Sequence, residues 1–150
     1  MVSTLKGKYL GMTCIDSLES FTLGALWAGV VFSVVGQFGK SGQIAVGASG
    51  AICGLVGNMI WKNWNDPRPA ISLMFPFSLL VTIPNMALHL VGFHIPESLT
   101  VRQFFYIFVS LSIVLTGLQN RTGRGFISHS AHLGGLSGGI IGAYNKSLQS

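Results

Sequence analysis

The chain has 150 residues, of which 49% are hydrophobic and only 9% are charged. A soluble domain of this size carries about 25% charged residues, so the composition excludes an ordinary water-soluble globule and indicates an integral membrane protein. The formal net charge is +5, which is typical of basic loops on the inner face of a membrane. No basic cluster is long enough to follow a phosphate backbone, so we expect no nucleic-acid partner.

Five stretches of the chain contain no Asp, Glu, Lys or Arg. They cover residues 20–39, 41–61, 69–96, 103–120 and 125–145. A helix needs about 20 apolar residues to cross a bilayer, and four of the stretches are near that length. The pattern predicts one all-α membrane domain over residues 1–150, a polytopic helical bundle with about four spanning helices.

The first two predicted spans cover residues 20–36 and 49–63. A polar, glycine-rich loop separates them. In the second span Gly50 and Gly54 are four residues apart, which lets another helix backbone approach closely. The segment that follows, residues 63–69, contains two prolines and ends this helix.

Residues 70–96 are uncharged but contain Pro76, Pro84 and Pro96. Three prolines argue against one straight helix, because proline removes a helical hydrogen bond and clashes with the preceding turn. The segment therefore favours a membrane-dipping loop, re-entrant or interfacial, over a fifth span.

The last two predicted spans cover residues 103–118 and 126–144. Two adjacent stripes of small residues run along the second of them. The stripes are Ser130, Gly134, Gly138 and Gly142, and beside them Ala131, Gly135, Gly139 and Ala143. They predict the most closely packed helix in the chain.

A serine stands between glycines where a loop enters the second predicted span, in the string Gly47-Ala48-Ser49-Gly50. A serine hydroxyl becomes a nucleophile only with a general base within hydrogen-bond reach. It also needs donors for the oxyanion on the attacked carbonyl. The backbone N–H groups of a helix N-terminus are such donors, and the glycines let the backbone turn. The alternative is that these small residues only pack.

His132 lies about seven residues into the last predicted span, or roughly 10 Å from its start at 1.5 Å per residue. An ionisable side chain at that depth indicates a functional residue, although a hydrogen-bonded structural histidine is the alternative. Gly135 and Gly139 clear the same side of the helix, so another helix can come close. If that helix begins with Ser49, the serine and the histidine meet as nucleophile and base.

The topology gives a separate condition on this pair. Ser49 and His132 each lie early in a helix, so they can meet only if the two helices run in the same direction. An odd number of spans must then separate them. The span over residues 103–118 meets the condition, provided that residues 70–96 do not cross the bilayer.

Two strings carry a resemblance to a known family. The first is Gly47-Ala48-Ser49-Gly50 before an apolar helix, and the second is Ala131-His132-Leu133-Gly134-Gly135. Together they resemble the rhomboid family of intramembrane serine proteases, from about Leu18 to the C-terminus. The string His129-Ser130-Ala131-His132 is similar to that of mitochondrial members and many bacterial ones.

This resemblance implies a serine-type endopeptidase that cleaves membrane proteins through their transmembrane segment, within the lipid bilayer. It implies a dyad with Ser49 as nucleophile and His132 as general base, without an acidic third member, a metal or a cofactor. Gly47, Ala48 and Gly50 would support the oxyanion. The expected location is a membrane crossed several times, and the mitochondrial similarity points to the mitochondrial inner membrane.

The chain departs from the family pattern above all in what precedes its first predicted span. The family core has six helices, and this chain supplies counterparts of the third to the sixth, so the first two are expected to be missing. The second family helix brings a histidine and an asparagine that line the oxyanion hole, but no histidine precedes His89. Two other functions therefore stay open: a catalytically impaired relative that binds membrane clients, and a small glycine-rich subunit for membrane assembly or transport.

Some residues near His132 receive weaker predictions. His129 lies one turn earlier on the same side of the helix, where it would orient the site or bind the oxyanion, or serve as an interfacial polar residue. We expect four glycines of the last span to act in helix packing: Gly134, Gly135, Gly138 and Gly139.

Overall fold

Most of the residues that the structure describes are helical. The computed structural model describes residues 13–37, 47–73, 90–92, 98–123 and 128–150. In these ranges five helices and no strand are present. They are α1 (Cys14–Gly36), α2 (Gly47–Lys62), the single turn α3 (Ala70–Leu73), α4 (Val101–Thr122) and α5 (His129–Gln149). The predicted all-α architecture is therefore confirmed.

Side-chain caps decide where α1 and α4 begin. The Thr13 hydroxyl accepts a hydrogen bond from the Asp16 N–H, and the Asp16 carboxylate accepts one from the Thr13 N–H. This reciprocal pair is a capping box, and it starts α1 six residues before the predicted residue 20. Thr100 and Gln103 form the same motif at the start of α4.

Two of the described helices, α1 and α4, are long and apolar enough to cross a membrane. The other two long helices, α2 and α5, do not meet this criterion of length and hydropathy. At 1.5 Å per residue, the 16 residues of α2 reach about 24 Å, less than the roughly 30 Å of a hydrocarbon core. The hydropathy of α5 is lowered by its glycines and serines, many of which are buried against other helices. The four-span arrangement stays a prediction.

Three helices form the centre of the fold, with α1 antiparallel to α2 and α5. The direction follows from close backbone contacts. A Cβ on Gly24 of α1 would lie 2.6 Å from Gly54 Cα in α2, while a Cβ on Gly50 of α2 would clash with Ala28. As the residue number increases along α2, the residue number of its contact in α1 decreases. The two helices therefore pack antiparallel.

The two small-residue stripes of α5 contact two different helices. A Cβ on Gly138 would lie 2.7 Å from the carbonyl oxygen of Leu23 in α1, and Gly134 likewise faces α1. Gly135 and Gly139 meet the backbone of α2 instead. Small residues permit such backbone approach, and the paired stripes let α5 pack against both neighbours at once.

Polar side chains join these three helices at one end of the bundle. Asp16 of α1 is buried and pairs with Lys62 at the end of α2, at 3.4 Å, and with Lys146 near the end of α5. One turn further along α1, the amide nitrogen of Asn58 in α2 donates to the Ser20 hydroxyl. Both contacts require the start of α1 to lie beside the ends of α2 and α5.

Helix α4 packs by apolar contacts beside the second half of α2. A buried cluster joins Val56, Met59 and Ile60 of α2 to Val101 of α4, with Phe104 and Phe105 against it. Of the 22 residues of α4 only Val101 and Ser112 are buried, and the others are exposed or half-buried. Most of α4 therefore presents an apolar surface outside the bundle.

The two ends of the predicted membrane-dipping segment meet at the same end of the bundle. Pro69 and Thr100 form an isolated antiparallel bridge, and the Ala70 N–H donates to the Leu99 carbonyl at 2.7 Å. The prolines on which that prediction depends lie outside the described residues. The chain nevertheless leaves and rejoins the bundle at one place, so α4 begins beside the end of α2.

Candidate active site

The predicted nucleophile lies in the first turn of α2. Ser49 is the third residue of this helix and is half-buried, between the exposed Ala48 and the buried Gly50. The first N–H groups of a helix have no acceptor in a preceding turn, and the helix dipole places partial positive charge there. The predicted support residues Gly47, Ala48 and Gly50 all lie in this turn.

The predicted base lies in the first turn of α5. Helix α5 begins at His129, because the Ser128 hydroxyl accepts a hydrogen bond from the Ala131 N–H at 3.2 Å. The helix therefore begins three residues after the predicted start of the span at about residue 126. His132 is the fourth residue of its helix, about 4.5 Å from the start at 1.5 Å per residue, instead of the predicted 10 Å.

Backbone contacts bring these two first turns together. A Cβ on Gly50 would lie 3.5 Å from the Ala131 carbonyl oxygen, and a Cβ on Gly135 would clash with the Gly50 carbonyl. Ser49 precedes Gly50 directly, and His132 follows Ala131 directly. The helix that packs closely against Gly135 and Gly139 is thus α2, whose first turn contains the predicted nucleophile.

The direction of the two helices meets the topological condition on the pair. Gly50 faces Gly135, and Gly54 faces Gly139. Because the residue numbers increase in the same direction along both helices, α2 and α5 are parallel. Helix α4 alone lies between them in chain order among the described long helices. It starts beside the end of α2 and stops at Thr122, six residues before Ser128.

Polar groups surround the start of α5. The rings of His129 and His132 meet edge to face, with centroids 5.9 Å apart at 89°. Ser128 and Ser130 are both buried, and their hydroxyl oxygens are 3.1 Å apart. The first turn of α5 therefore carries a pair of imidazoles and a pair of hydroxyls, and this turn lies beside the first turn of α2, which contains Ser49.

A model of the Rhomboid domain matches residues 8–148 of the chain. The chain belongs to the rhomboid family. No curated protein and no solved structure matches it. Membership in the rhomboid family, whose members are typically intramembrane proteases, agrees with the two apolar helices and makes this chain a membrane protein.

Within this rhomboid, the predicted site residues fall into two groups. Ser49, His132 and His129 come to the same end of the bundle, together with Gly47 and Ala48. Gly50, predicted to support the oxyanion, is buried where α1, α2 and α5 touch, so its position also serves helix packing. The remaining four glycines, Gly134, Gly135, Gly138 and Gly139, all lie in helix contacts.

Sequence reasoning missed two structural features of this rhomboid. The first is Ser128, whose cap fixes the start of α5 and so the depth of His132; a serine three residues before Ala131 was a readable capping signal. The second is the ion cluster of Asp16, Lys62 and Lys146 at the opposite end. Its partners are 46 and 130 residues apart, and no local pattern indicates such pairs.

Proposed function

We propose that this rhomboid is an intramembrane serine endopeptidase with Ser49 as nucleophile and His132 as general base. The observation that supports the proposal most strongly is the contact of Gly50 with Ala131 and Gly135. Gly50 follows the serine of the GxSG string, and Ala131 precedes the histidine of the AHxGG string. The contact therefore supports a position of Ser49 near His132. The predicted substrates are membrane proteins with a transmembrane segment, and the predicted setting is a multi-pass arrangement in the mitochondrial inner membrane.

The chemistry follows from what the two groups can do. His132 takes the proton of the Ser49 hydroxyl as the oxygen attacks the scissile carbonyl, and later gives it to the leaving amine. Backbone N–H groups in the first turn of α2, those of Gly47 and Ala48 among them, are suitable donors for the oxyanion. Water then hydrolyses the acyl-enzyme. No step in this sequence calls for a metal or a cofactor.

A second candidate function has one observation in its favour. Helix α4 exposes a long apolar surface that includes Ile107, Leu111 and Val114. Such a surface suits a transmembrane client, whether or not the client is cut. A relative that binds clients without cleaving them would use α4 and would not require Ser49 to be reactive.

Labelling with a fluorophosphonate probe separates the two functions. The purified full chain is compared with Ser49→Ala and His132→Ala, and with Ser33→Ala and Ser137→Ala as controls, because both control serines are exposed and donate to their own helix. We expect labelling of the parent and both controls, and at least a hundredfold loss in each dyad variant. Labelling that survives Ser49→Ala would reject the dyad. A folded parent that takes no label would favour the client-binding function.

A further inference from the structure

An apolar cavity lies at the end of the bundle opposite Ser49, between α2, α4 and α5. Its volume is about 210 Å³, and it is open to the outside. The lining is entirely apolar or aromatic: Ile60, Trp61, Trp64, Phe105 and Ile140. One water molecule needs about 10–15 Å³ of such space, so the cavity is many times larger than a water site and large enough for a short stretch of acyl chain.

A cation lies directly above one wall of this cavity. The guanidinium carbon of Arg102 is 5.3 Å from the centroid of the Trp64 ring, and Trp64 also lines the cavity. Arg102 is exposed, and it donates one hydrogen bond to the Asn65 side chain at 2.8 Å. A guanidinium has five N–H donors in a planar fork, so several remain for an anion that approaches from outside.

The charges at this end single out Arg102 among the described residues. Lys62 and Lys146 pair with Asp16, Lys146 also reaches Glu19, and Arg68 pairs with Asp66. Within the described part of the chain, no carboxylate lies within ion-pair distance of Arg102. Among the described residues, the other cations at this end thus have acidic partners, and Arg102, beside the cavity, has its hydrogen bond to Asn65 instead.

We propose that the cavity and Arg102 together bind an anionic phospholipid. One acyl chain would fill the space between Trp61, Trp64 and Ile140, and the phosphate would accept a forked pair of hydrogen bonds from Arg102. Tryptophans and basic residues mark the membrane interface, and basic pockets between membrane helices bind anionic headgroups. A protein helix is a poorer occupant, because a transmembrane segment brings no phosphate for the fork of Arg102.

Lipid retention on the purified full chain tests this site. The protein is exchanged into mixed micelles with equal amounts of phosphatidylglycerol and phosphatidylcholine, and native mass spectrometry counts the lipids that stay bound. We expect phosphatidylglycerol to be retained about tenfold over phosphatidylcholine, since a hydrogen-bonded charge pair is involved. Arg102→Gln should remove the preference. The matched control is Arg121→Gln, an exposed arginine in the last turn of the same helix, and it should keep the preference.

A second variant keeps the test decisive if Arg102→Gln fails to fold. Ile140→Phe narrows the cavity without changing charge, and it should reduce the retention of both lipids. Equal retention of the two lipids by the parent would overturn the proposal, and so would equal losses in both arginine variants. Retention that is unaffected by Ile140→Phe would place the lipid elsewhere. A parent that appears as a dimer without lipid, and as a monomer after Ile140→Phe, would assign the cavity to a second copy.

Discussion

The backbones of Gly50 and Gly135 touch, and the carbonyl group of Gly50 occupies the space that a side chain at residue 135 would need. The same relationship holds one turn later between Gly54 and Gly139. Helices α2 and α5 are therefore held together by main-chain surfaces. The close approach of the two helices that carry Ser49 and His132 requires that residues 135 and 139 have no side chain.

Adding a methyl group at this contact should separate the two helices. For Gly139→Ala we expect a loss of about 1–3 kcal/mol in the free energy of unfolding, the range for overpacked cores, together with loss of fluorophosphonate labelling. The control is Gly117→Ala in α4, where a Cβ would meet nothing within 4 Å. It should leave labelling intact and raise stability by up to about 1 kcal/mol, because alanine favours helix. Equal effects of the two substitutions on thermal unfolding would contradict the contact.

Removing the cap of α5 should affect the site more than the fold. Ser128→Ala deletes the acceptor for the Ala131 N–H, and losing such a cap costs about 0.5–2 kcal/mol. The first turn of α5 contains His132, so we expect fluorophosphonate labelling to slow markedly when that turn frays.

Thr13→Ala provides the matched comparison, because Thr13 caps α1 at the opposite end of the bundle. It should cost similar stability in a thermal unfolding experiment and leave the labelling rate nearly unchanged. If both variants slow labelling to the same extent, the effect comes from global stability and not from the position of His132.

The bridge between Pro69 and Thr100 predicts which residues share a side of the membrane. Single cysteines at the exposed positions Asn65, Ser98 and Arg121 are labelled with a membrane-impermeant maleimide, after Cys14 and Cys53 have been replaced by alanine. We expect Asn65→Cys and Ser98→Cys to react from the same side and Arg121→Cys from the other. Reaction of Asn65→Cys together with Arg121→Cys, with Ser98→Cys reacting from the other side, would mean that residues 70–96 cross the bilayer.

The ion cluster at Asp16 should stabilise the bundle without affecting the chemistry directly. Asp16→Asn removes the charge that pairs with Lys62 and Lys146. We expect a loss of about 1–2 kcal/mol, near the value for hydrogen bonds to charged groups, because both lysines stay partly exposed, at 30% and 48%.

Asp66→Asn is the control for this substitution. Its partner Arg68 is 68% exposed, and exposed pairs contribute little, so the change should stay within about 0.5 kcal/mol. Urea unfolding of both variants in detergent measures the difference. A loss at Asp66 as large as that at Asp16 would show that burial does not distinguish the two pairs.

Periodic small residues were the most informative part of the sequence. Spacing of four predicted that Gly134, Gly135, Gly138 and Gly139 would pack closely, and the parity of the spans predicted parallel helices for Ser49 and His132. Both inferences depend only on helix geometry and chain order. They were therefore accessible without knowledge of any contact.

Helix starts were less accessible. The uncharged stretch before His132 continues to residue 125, so charge did not mark the start of α5, and only the cap at Ser128 does. The start of α1 lies in a polar stretch before the first uncharged run, so hydropathy did not mark it. The capping box formed by Thr13 and Asp16 does. The pairing of Asp16 with Lys146 depends on three helices meeting at one end, which no local signal contains.

The contacts at Gly135 and Gly139 also bear on when the proposed dyad of Ser49 and His132 would assemble during synthesis. Residue 132 follows residue 49 by 83 positions, and the main-chain surfaces that align them belong to helices made at very different times. A nascent chain that has released α2 but not α5 carries a serine with no base beside it. With the proposed dyad, reactivity would arise only when α5 packs against α1 and α2, so an unfinished chain would be unable to attack the membrane proteins around it.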